Sequence, residues 1–158
     1  MHQQSLMALK WLGAALVLLL GAPVALTAQA TRAAKTPSQA VEEFMRALAD
    51  SNLTRMAELW GNAKGPVSKT RPKDYEKRIM IMQMFLHGVQ ARTLGDVPSS
   101  KSGLRSVTTE LAHNGCKVTI SIDVVKAKDG WLVENFDLAE AGHVNQPCDT
   151  GKPGNSME

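Results

Sequence analysis

Apolar side chains in the N-terminal half of the chain recur at the three- and four-residue spacing of amphipathic helices. The first such segment opens at Thr36-Pro37-Ser38-Gln39, where Thr36 and Gln39 form a capping box and Pro37 suits the first turn. Its apolar face is Val41, Phe44, Met45 and Leu48. The second segment ends at Gly61, and its apolar face is Leu53, Met56, Ala57 and Trp60. The pattern therefore predicts two short helices separated by the polar turn Asp50-Ser51-Asn52.

A third helix is predicted from Pro72 to about Val89, after a basic loop over Asn62–Arg71. Its first turns are charged, but Ile79–Leu86 is apolar nearly all round, which predicts burial on more than one side. Three alternate methionines lie in this segment: Met80, Met82 and Met84. Alternate residues of a helix point in divergent directions, so we interpret them as core filling rather than as a soft-metal site.

After Val89 the pattern favours β-strands. A weak strand over Ala91–Val97 is followed by two strands, Leu104–His113 and Cys116–Val125, which flank the hairpin dipeptide Asn114-Gly115. A two-residue loop would pair His113 with Cys116 and place one largely apolar face inside, which supports the hairpin. The paired positions further along are Leu111 with Val118, Thr109 with Ile120, and Val107 with Ile122.

The last predicted strand is Trp131–Leu138, after a turn at Lys128-Asp129-Gly130. Pairing of Ala127 with Trp131 would put Phe136 and Leu138 on the inner face. A bulge would instead put Trp131 and Val133 inside, and the sequence leaves both registers open. The whole pattern predicts an α+β domain with three N-terminal helices packed on a curved antiparallel sheet of about four strands.

The first thirty residues have the order of a secretory signal peptide. Met1–Lys10 opens polar and carries one side-chain cation, Lys10, an uncharged and mostly apolar stretch follows, and Ala28-Gln29-Ala30 supplies the small residues of a cleavage site. The stretch is interrupted by Pro23 and is short for a membrane span of about 20 residues. We therefore expect cleavage, export to the periplasm or the exterior, and no stable membrane anchor afterwards; the alternative is an uncleaved anchor.

These boundaries divide the chain into four parts. A signal peptide at 1–30 and a linker at 31–35 precede an α+β domain at 36–141, and a polar tail occupies 142–158. The formal net charge of +3 is too small to indicate nucleic-acid binding.

The chain has two cysteines, Cys116 and Cys148, and both lie in the part predicted to be exported. In an oxidising compartment such a pair is expected to form a disulfide, which would tie the tail to the sheet. Two free thiols or an intermolecular bridge are the alternatives. The long spacing, with no C-x-x-C or His-x-x-His companion, predicts no metal site, and no sequence motif indicates a cofactor.

Three segments together resemble the nuclear transport factor 2-like superfamily: Thr36–Phe44 with Ala47-Leu48-Ala49, Asn52–Trp60, and Asp129–Leu138. With the hairpin, the resemblance spans most of Thr36–Leu138. It implies a cone-shaped α+β domain in which a curved sheet wraps around a long helix. It also implies a pocket at the open end of the cone and frequent dimerisation through the outer sheet face. It does not imply an activity, because the superfamily includes isomerases, dehydratases, transport factors and domains with no known role.

Four residues are candidates for the pocket: Arg105, Glu134, Thr109 and Tyr75. In the register above, Arg105 and Glu134 both flank Val124 on the inner face, where a charged side chain is costly unless it is paired or lies at a pocket mouth. They either bind a polar ligand or form a structural ion pair. Isomerase-like members use tyrosine and aspartate pairs, but Tyr75 and the adjacent Asp74 match no catalytic motif of the family. His113, beside the hairpin turn, is either a general base or a surface residue.

The function predicted from these observations is that of a non-catalytic binding or accessory module for a small apolar or amphipathic ligand. One alternative is a structural module of the cell envelope that forms a homodimer. Another is a small isomerase, dehydratase or hydrolase that uses the cone pocket. Whether the protein is an enzyme stays open, although the absence of a convergent acid–base set favours binding.

Overall fold

A computed structural model of the protein describes residues 33–148. The helices are α1 (Pro37–Ala49), α2 (Leu53–Leu59), α3 (Val67–Thr70), α4 (Tyr75–Leu86) and α5 (Leu138–Gly142), followed by a 3-10 turn at His143–Asn145. A small ribbon consists of β1 (Gly61–Asn62) and β2 (Gly65–Pro66). The main sheet consists of β3 (Gln90–Pro98), β4 (Leu104–His113), β5 (Cys116–Lys126) and β6 (Trp131–Phe136). This is the α+β class that the sequence predicted.

The main sheet is an antiparallel meander in the order β3-β4-β5-β6. The predicted register of the central hairpin is confirmed at its four tested pairs, from His113 opposite Cys116 to Val107 opposite Ile122. One face of these strands lies in the core, and its buried members include Val107, Leu111, Ile120, Ile122 and Val124. The hairpin register was predictable because a slip of one residue would turn this apolar set to solvent.

Strand β6 contains a bulge that combines the two registers left open by the sequence. Asn135 pairs with Asp123, but Val133 pairs with Val124, so Glu134 is an extra residue between them. Phe136 therefore lies beside Ile122, as the regular register predicted, while Val133 is fully buried, as the bulged register predicted. Trp131 stays half-buried, and Leu138 has left the strand and begins α5.

Helix α1 begins where the capping box predicted. The Thr36 hydroxyl accepts a hydrogen bond from the Gln39 N–H at 3.1 Å, and the Gln39 amide oxygen accepts one from the Lys35 N–H at 2.9 Å. Its predicted apolar face is buried, and the Phe44 ring meets Phe136 of β6 edge-on with centroids 6.3 Å apart. Helix α1 thus lies across the inner face of the sheet and contacts all four of its strands, β3 most extensively.

Two segments predicted to be irregular are ordered. The predicted loop Asn62–Arg71 contains the β1–β2 ribbon and α3, so four helices rather than three precede the sheet. Gly61 allows this close pairing, because a Cβ there would lie 2.3 Å from the Gly65 carbonyl oxygen. The domain also continues past the predicted boundary at 141, since Val144 is buried in the core. The first residues of the predicted tail therefore belong to the fold.

Helix α4 is buried on one side only, which contradicts the prediction for Ile79–Leu86. Ile79, Met82 and Leu86 face the core, but three large apolar side chains are exposed: Met80 at 58%, Met84 at 69% and Phe85 at 45%. The core-filling interpretation of the methionines is correct for Met82 and wrong for Met80 and Met84. Apolar character all round a helix does not reveal which neighbours are available to cover it.

The predicted disulfide between Cys116 and Cys148 is present, with Cα atoms 5.6 Å apart. This separation lies in the usual range for a disulfide. The bond attaches the segment after the 3-10 turn to the start of β5. Within residues 33–148, no helix combines the length and apolar character needed to cross a membrane. The predicted signal peptide, the first two residues of the predicted linker and residues 149–158 lie outside the described residues.

Candidate ligand-binding cleft

A half-open cleft lies between helix α4 and strand β6, with a volume of about 260 Å³. The residues that line it are Trp60, Arg78, Ile81, Met82, Glu134, Asn135, Phe136 and Leu138. Five of these are apolar or aromatic and form its walls, whereas Arg78, Glu134 and Asn135 supply the polar groups. This composition is typical of a small-molecule site, in which a few polar groups orient a largely apolar ligand.

Trp60 is held in place from two directions. It ends α2 and forms a parallel bridge with Val133, so its backbone is fixed against the edge of β6. Its indole Nε1 donates a hydrogen bond to the Glu134 carbonyl oxygen at 3.1 Å, and the residue is only 6% exposed. Glu134 is the bulged residue of β6 and has no Cα partner on β5. Its carbonyl oxygen is the acceptor of the indole hydrogen bond. The bulge and the indole therefore fix one wall of the cleft together.

Arg78 lies over the same tryptophan. Its guanidinium carbon is 4.7 Å from the centre of the Trp60 ring, a cation–π geometry that holds an exposed side chain beside the cleft. Among the described residues, neither the Arg78 guanidinium nor the Glu134 carboxylate forms an ion pair with another side chain. The cleft therefore carries one cation and one anion whose charges are not neutralised by direct pairing.

Glu134 also acts beyond the cleft. The pKa of Lys101 is raised above its ordinary value by a hydrogen bond to Asp123 and by the charge of Asp123, with a smaller contribution from Glu134. The Lys101 Nζ atom lies 2.9 Å from the Asp123 carboxylate. Glu134 therefore has a minor electrostatic effect on the loop that connects β3 to β4.

The structure brings only one of the four predicted pocket residues, Glu134, to the cleft. Arg105 lies opposite Val124, as the register predicted, but its guanidinium pairs with the Asp96 carboxylate of β3 and not with Glu134. Thr109 is fully buried in the core, where its hydroxyl lies 3.3 Å from the Val107 carbonyl oxygen. Tyr75 packs at the start of α4 and donates a hydrogen bond to Glu76 at 3.0 Å.

The lining set contains one carboxylate, Glu134, and no histidine. His113 Nδ1 is 3.4 Å from the Gly88 carbonyl oxygen, and His87 Nδ1 is 3.1 Å from the Ser51 hydroxyl. A carboxylate, a guanidinium and an amide can bind a polar group of a ligand. Across residues 33–148, no group of three or more histidine, cysteine or acidic side chains is placed to hold a metal ion.

Of the eight lining residues, sequence reasoning predicted only Glu134 as a site residue, and Trp60, Arg78 and Ile81 are among those it missed. Trp60 was predicted to face the core, and it does, but its ring also forms a wall of the cleft. Arg78 lies one turn before Ile81 and Met82 on α4, so its proximity to two apolar side chains is a local signal that could have been used. The contact with Trp60 joins α4 to the end of α2, which no local spacing predicts.

No protein-family model matches the chain, and a search among curated proteins found no match. The kind of ligand that the cleft can bind is therefore inferred from its lining residues and their geometry.

Proposed function

We propose that this protein is an exported binding module whose cleft between α4 and β6 holds a small amphipathic ligand. The observation that carries the proposal is the meeting of an apolar wall with two opposite charges, Arg78 and Glu134, neither of which forms an ion pair among the described residues. An apolar ligand body would contact Ile81, Met82 and Phe136 and lose its contact with water. Its polar end would lie beside the Arg78 guanidinium if it is anionic and beside the Glu134 carboxylate if it is cationic.

The size of the cleft supports a small ligand. Its volume of about 260 Å³ lies just below the usual range for drug-sized ligands, about 300–1,000 Å³. A medium-length acyl chain with a polar head group is small enough for a cleft of this volume. The half-open shape leaves room for the head group at the surface beside Arg78.

Membership of the nuclear transport factor 2-like superfamily and export are parts of the same proposal. The order of helices followed by an antiparallel meander is the order that the resemblance implies. The disulfide is compatible with an oxidising compartment, where such bonds form and persist. The leader at 1–30 supplies the route to that compartment.

Calorimetric titration with octanoate tests the proposal. We expect one site per chain and a Kd about tenfold higher for Arg78→Gln, because a hydrogen bond to a charged group contributes roughly 1.5 kcal/mol. Ile81→Gln should also weaken binding by placing a polar amide against the acyl chain. Arg105→Gln is the matched control, since it removes an arginine that pairs with Asp96 outside the cleft.

Octylamine provides the complementary probe, and Glu134→Gln should weaken its binding more than that of octanoate. Failure of both probes to bind, or equal losses for Arg78→Gln and Arg105→Gln, would rule out the cleft as the site. Circular dichroism melts of each variant establish that the fold is retained.

A further inference from the structure

Helix α4 carries an exposed apolar surface, the α4 outer patch, formed by Met80, Met84 and Phe85. Met80 and Met84 are one turn apart and lie side by side on the exposed face. Phe85 points about 100° further round the helix than Met84 and extends the exposed apolar surface toward Gly142 of α5. A helix that is apolar all round is ordinarily covered on every side. On this helix the core covers only the side that contains Ile79, Met82 and Leu86.

The patch adjoins a basic surface. Lys77 lies one turn before Met80 on α4, and it belongs to a segment, 64–78, that contains six basic and two acidic side chains. All six basic residues are exposed: Lys64, Lys69, Arg71, Lys73, Lys77 and Arg78. The acidic residues are Asp74 and Glu76. Lys69 pairs with Asp129 outside the segment and Arg78 lies over Trp60 at the cleft, so the basic flank consists of Lys64, Arg71, Lys73 and Lys77. An exposed apolar helix face beside a basic flank is complementary to an anionic amphipathic surface.

A second copy of the chain is a poorer partner for this face. Antiparallel pairing of two α4 helices would place Lys77 against the last turn of the partner helix, which has no carboxylate in Gln83–Leu86. Parallel pairing would place Lys77 against Lys77, which is repulsive. Three side chains also fall well short of the roughly 20 residues per side in a standard protein interface.

We infer that the α4 outer patch and its basic flank dock the protein reversibly on an anionic lipid surface. Met80, Met84 and Phe85 would enter the boundary between head groups and acyl chains, and the flexible methionine side chains adapt to its irregular packing. Lys77 and its basic neighbours would contact the lipid phosphates. Apolar insertion and a basic patch are the two contributions that together give stable peripheral binding. The inference does not depend on what the cleft binds.

Co-sedimentation with vesicles tests the inference. The protein is recovered in its exported form, with one N-terminus verified by mass for all variants. Vesicles contain phosphatidylcholine alone or an equal mixture with phosphatidylglycerol, in 0.1 M salt. We expect binding to the mixed vesicles and far weaker binding to phosphatidylcholine. The double variant Met80→Gln/Met84→Gln should bind at least tenfold more weakly, and Lys77→Gln roughly fivefold more weakly.

Leu94→Gln is the matched control, because Leu94 is 51% exposed on the edge strand β3 and should leave vesicle binding unchanged. Lys77→Gln leaves the apolar side chains intact and so tests the charge contribution without any change to packing. Absence of wild-type binding to the mixed vesicles, or an equal loss for Leu94→Gln, would overturn the inference. A dimer in light scattering that dissociates on Met84→Gln would also overturn it and identify a second copy as the partner.

Discussion

At the scale of single residues, Trp60 connects the fold to the cleft. Its ring is buried with the core, its indole N–H bonds to the bulge in β6, and Arg78 lies over its face. One side chain thus contributes apolar contact, a hydrogen bond and a cation–π contact. Substitutions that remove the apolar contact, the hydrogen bond or the cation–π contact should therefore differ in their effect on the free energy of unfolding.

Trp60→Phe keeps a large aromatic ring but removes the N–H that bonds to the Glu134 carbonyl oxygen at 3.1 Å. We expect a loss of about 1 kcal/mol in the free energy of unfolding, measured by urea denaturation. Trp131→Phe is the control, because the described residues show no hydrogen bond from that indole nitrogen. Equal losses in the two variants would mean that ring size, and not the hydrogen bond to the bulge, sets the effect.

The ion pairs on the outer sheet face predict a pH dependence. The pKa of Glu110 lies below its ordinary value of 4.5, chiefly because of a hydrogen bond with Lys117 and also through the charges of Lys117 and Arg92. A lowered pKa in the folded state stabilises the fold above pH 4.5, and this contribution is lost as the pH falls through the folded-state value. Glu110→Gln should therefore lose less stability on acidification than the wild type.

Thermal melts at pH 6 and below pH 4 measure this difference. Added salt should reduce it, because both partners are exposed to solvent. An acid-induced fall in Tm of the same size in wild type and Glu110→Gln would show that the pair does not contribute.

At the scale of secondary-structure elements, the β4–β5 hairpin depends on backbone conformation in its turn. Asn114 has φ +48° and Gly115 has φ +82°, so both turn residues occupy the left-handed region. This is the pattern of a tight two-residue hairpin, and it favours glycine at the second position. The turn and the alternation of the two strands specify the same register.

Gly115→Ala should destabilise the protein by roughly 1 kcal/mol, because a Cβ disfavours positive φ. Gly95→Ala, in β3, is the control: a Cβ there meets nothing within 4 Å. Urea denaturation of both variants compares the two sites. A similar loss at both positions would indicate a general cost of replacing glycine in the sheet and contradict the turn argument.

These elements show what the sequence can and cannot predict. The hairpin register and the α1 cap were predictable because short-range rules determine both. The partner of Arg105 was not, since Asp96 is reached only after β3 pairs with β4 around a bulge between Thr93 and Gly95. The cleft requires that α2, α4 and β6 meet, and the exposed side of α4 depends on what the rest of the chain leaves uncovered. The spacing of residues within one element predicts neither the distant partner of an ion pair nor which elements meet in the folded domain.

At the scale of the whole molecule, the disulfide joins the end of the described chain to the central hairpin. Cys116 and Cys148 are separated by 32 residues, a segment that contains β5, β6 and α5. The bond thus closes a loop around one wall of the cleft. It restricts the unfolded chain and fixes the segment that follows the buried Val144.

Replacement of both cysteines by alanine should lower the free energy of unfolding by about 2–4 kcal/mol. Reduction of the wild type should shift its urea midpoint in the same direction, and the alanine variant should not respond to the reductant. An unchanged midpoint on reduction would mean that the bond does not contribute to stability. The bulge and the cleft residues of β6 and α5 lie within this loop, so octanoate affinity should also fall in the alanine variant.

Native mass spectrometry of the full-length gene product, recovered after export, tests the central claim most directly. We expect a chain that starts at Thr31, is two hydrogens lighter than the reduced sequence, and carries one small amphipathic molecule that is lost in Arg78→Gln. A chain that retains residues 1–30 would contradict export with cleavage. A bound molecule that is retained equally in wild type and Arg78→Gln would contradict the assignment of the cleft as the ligand site.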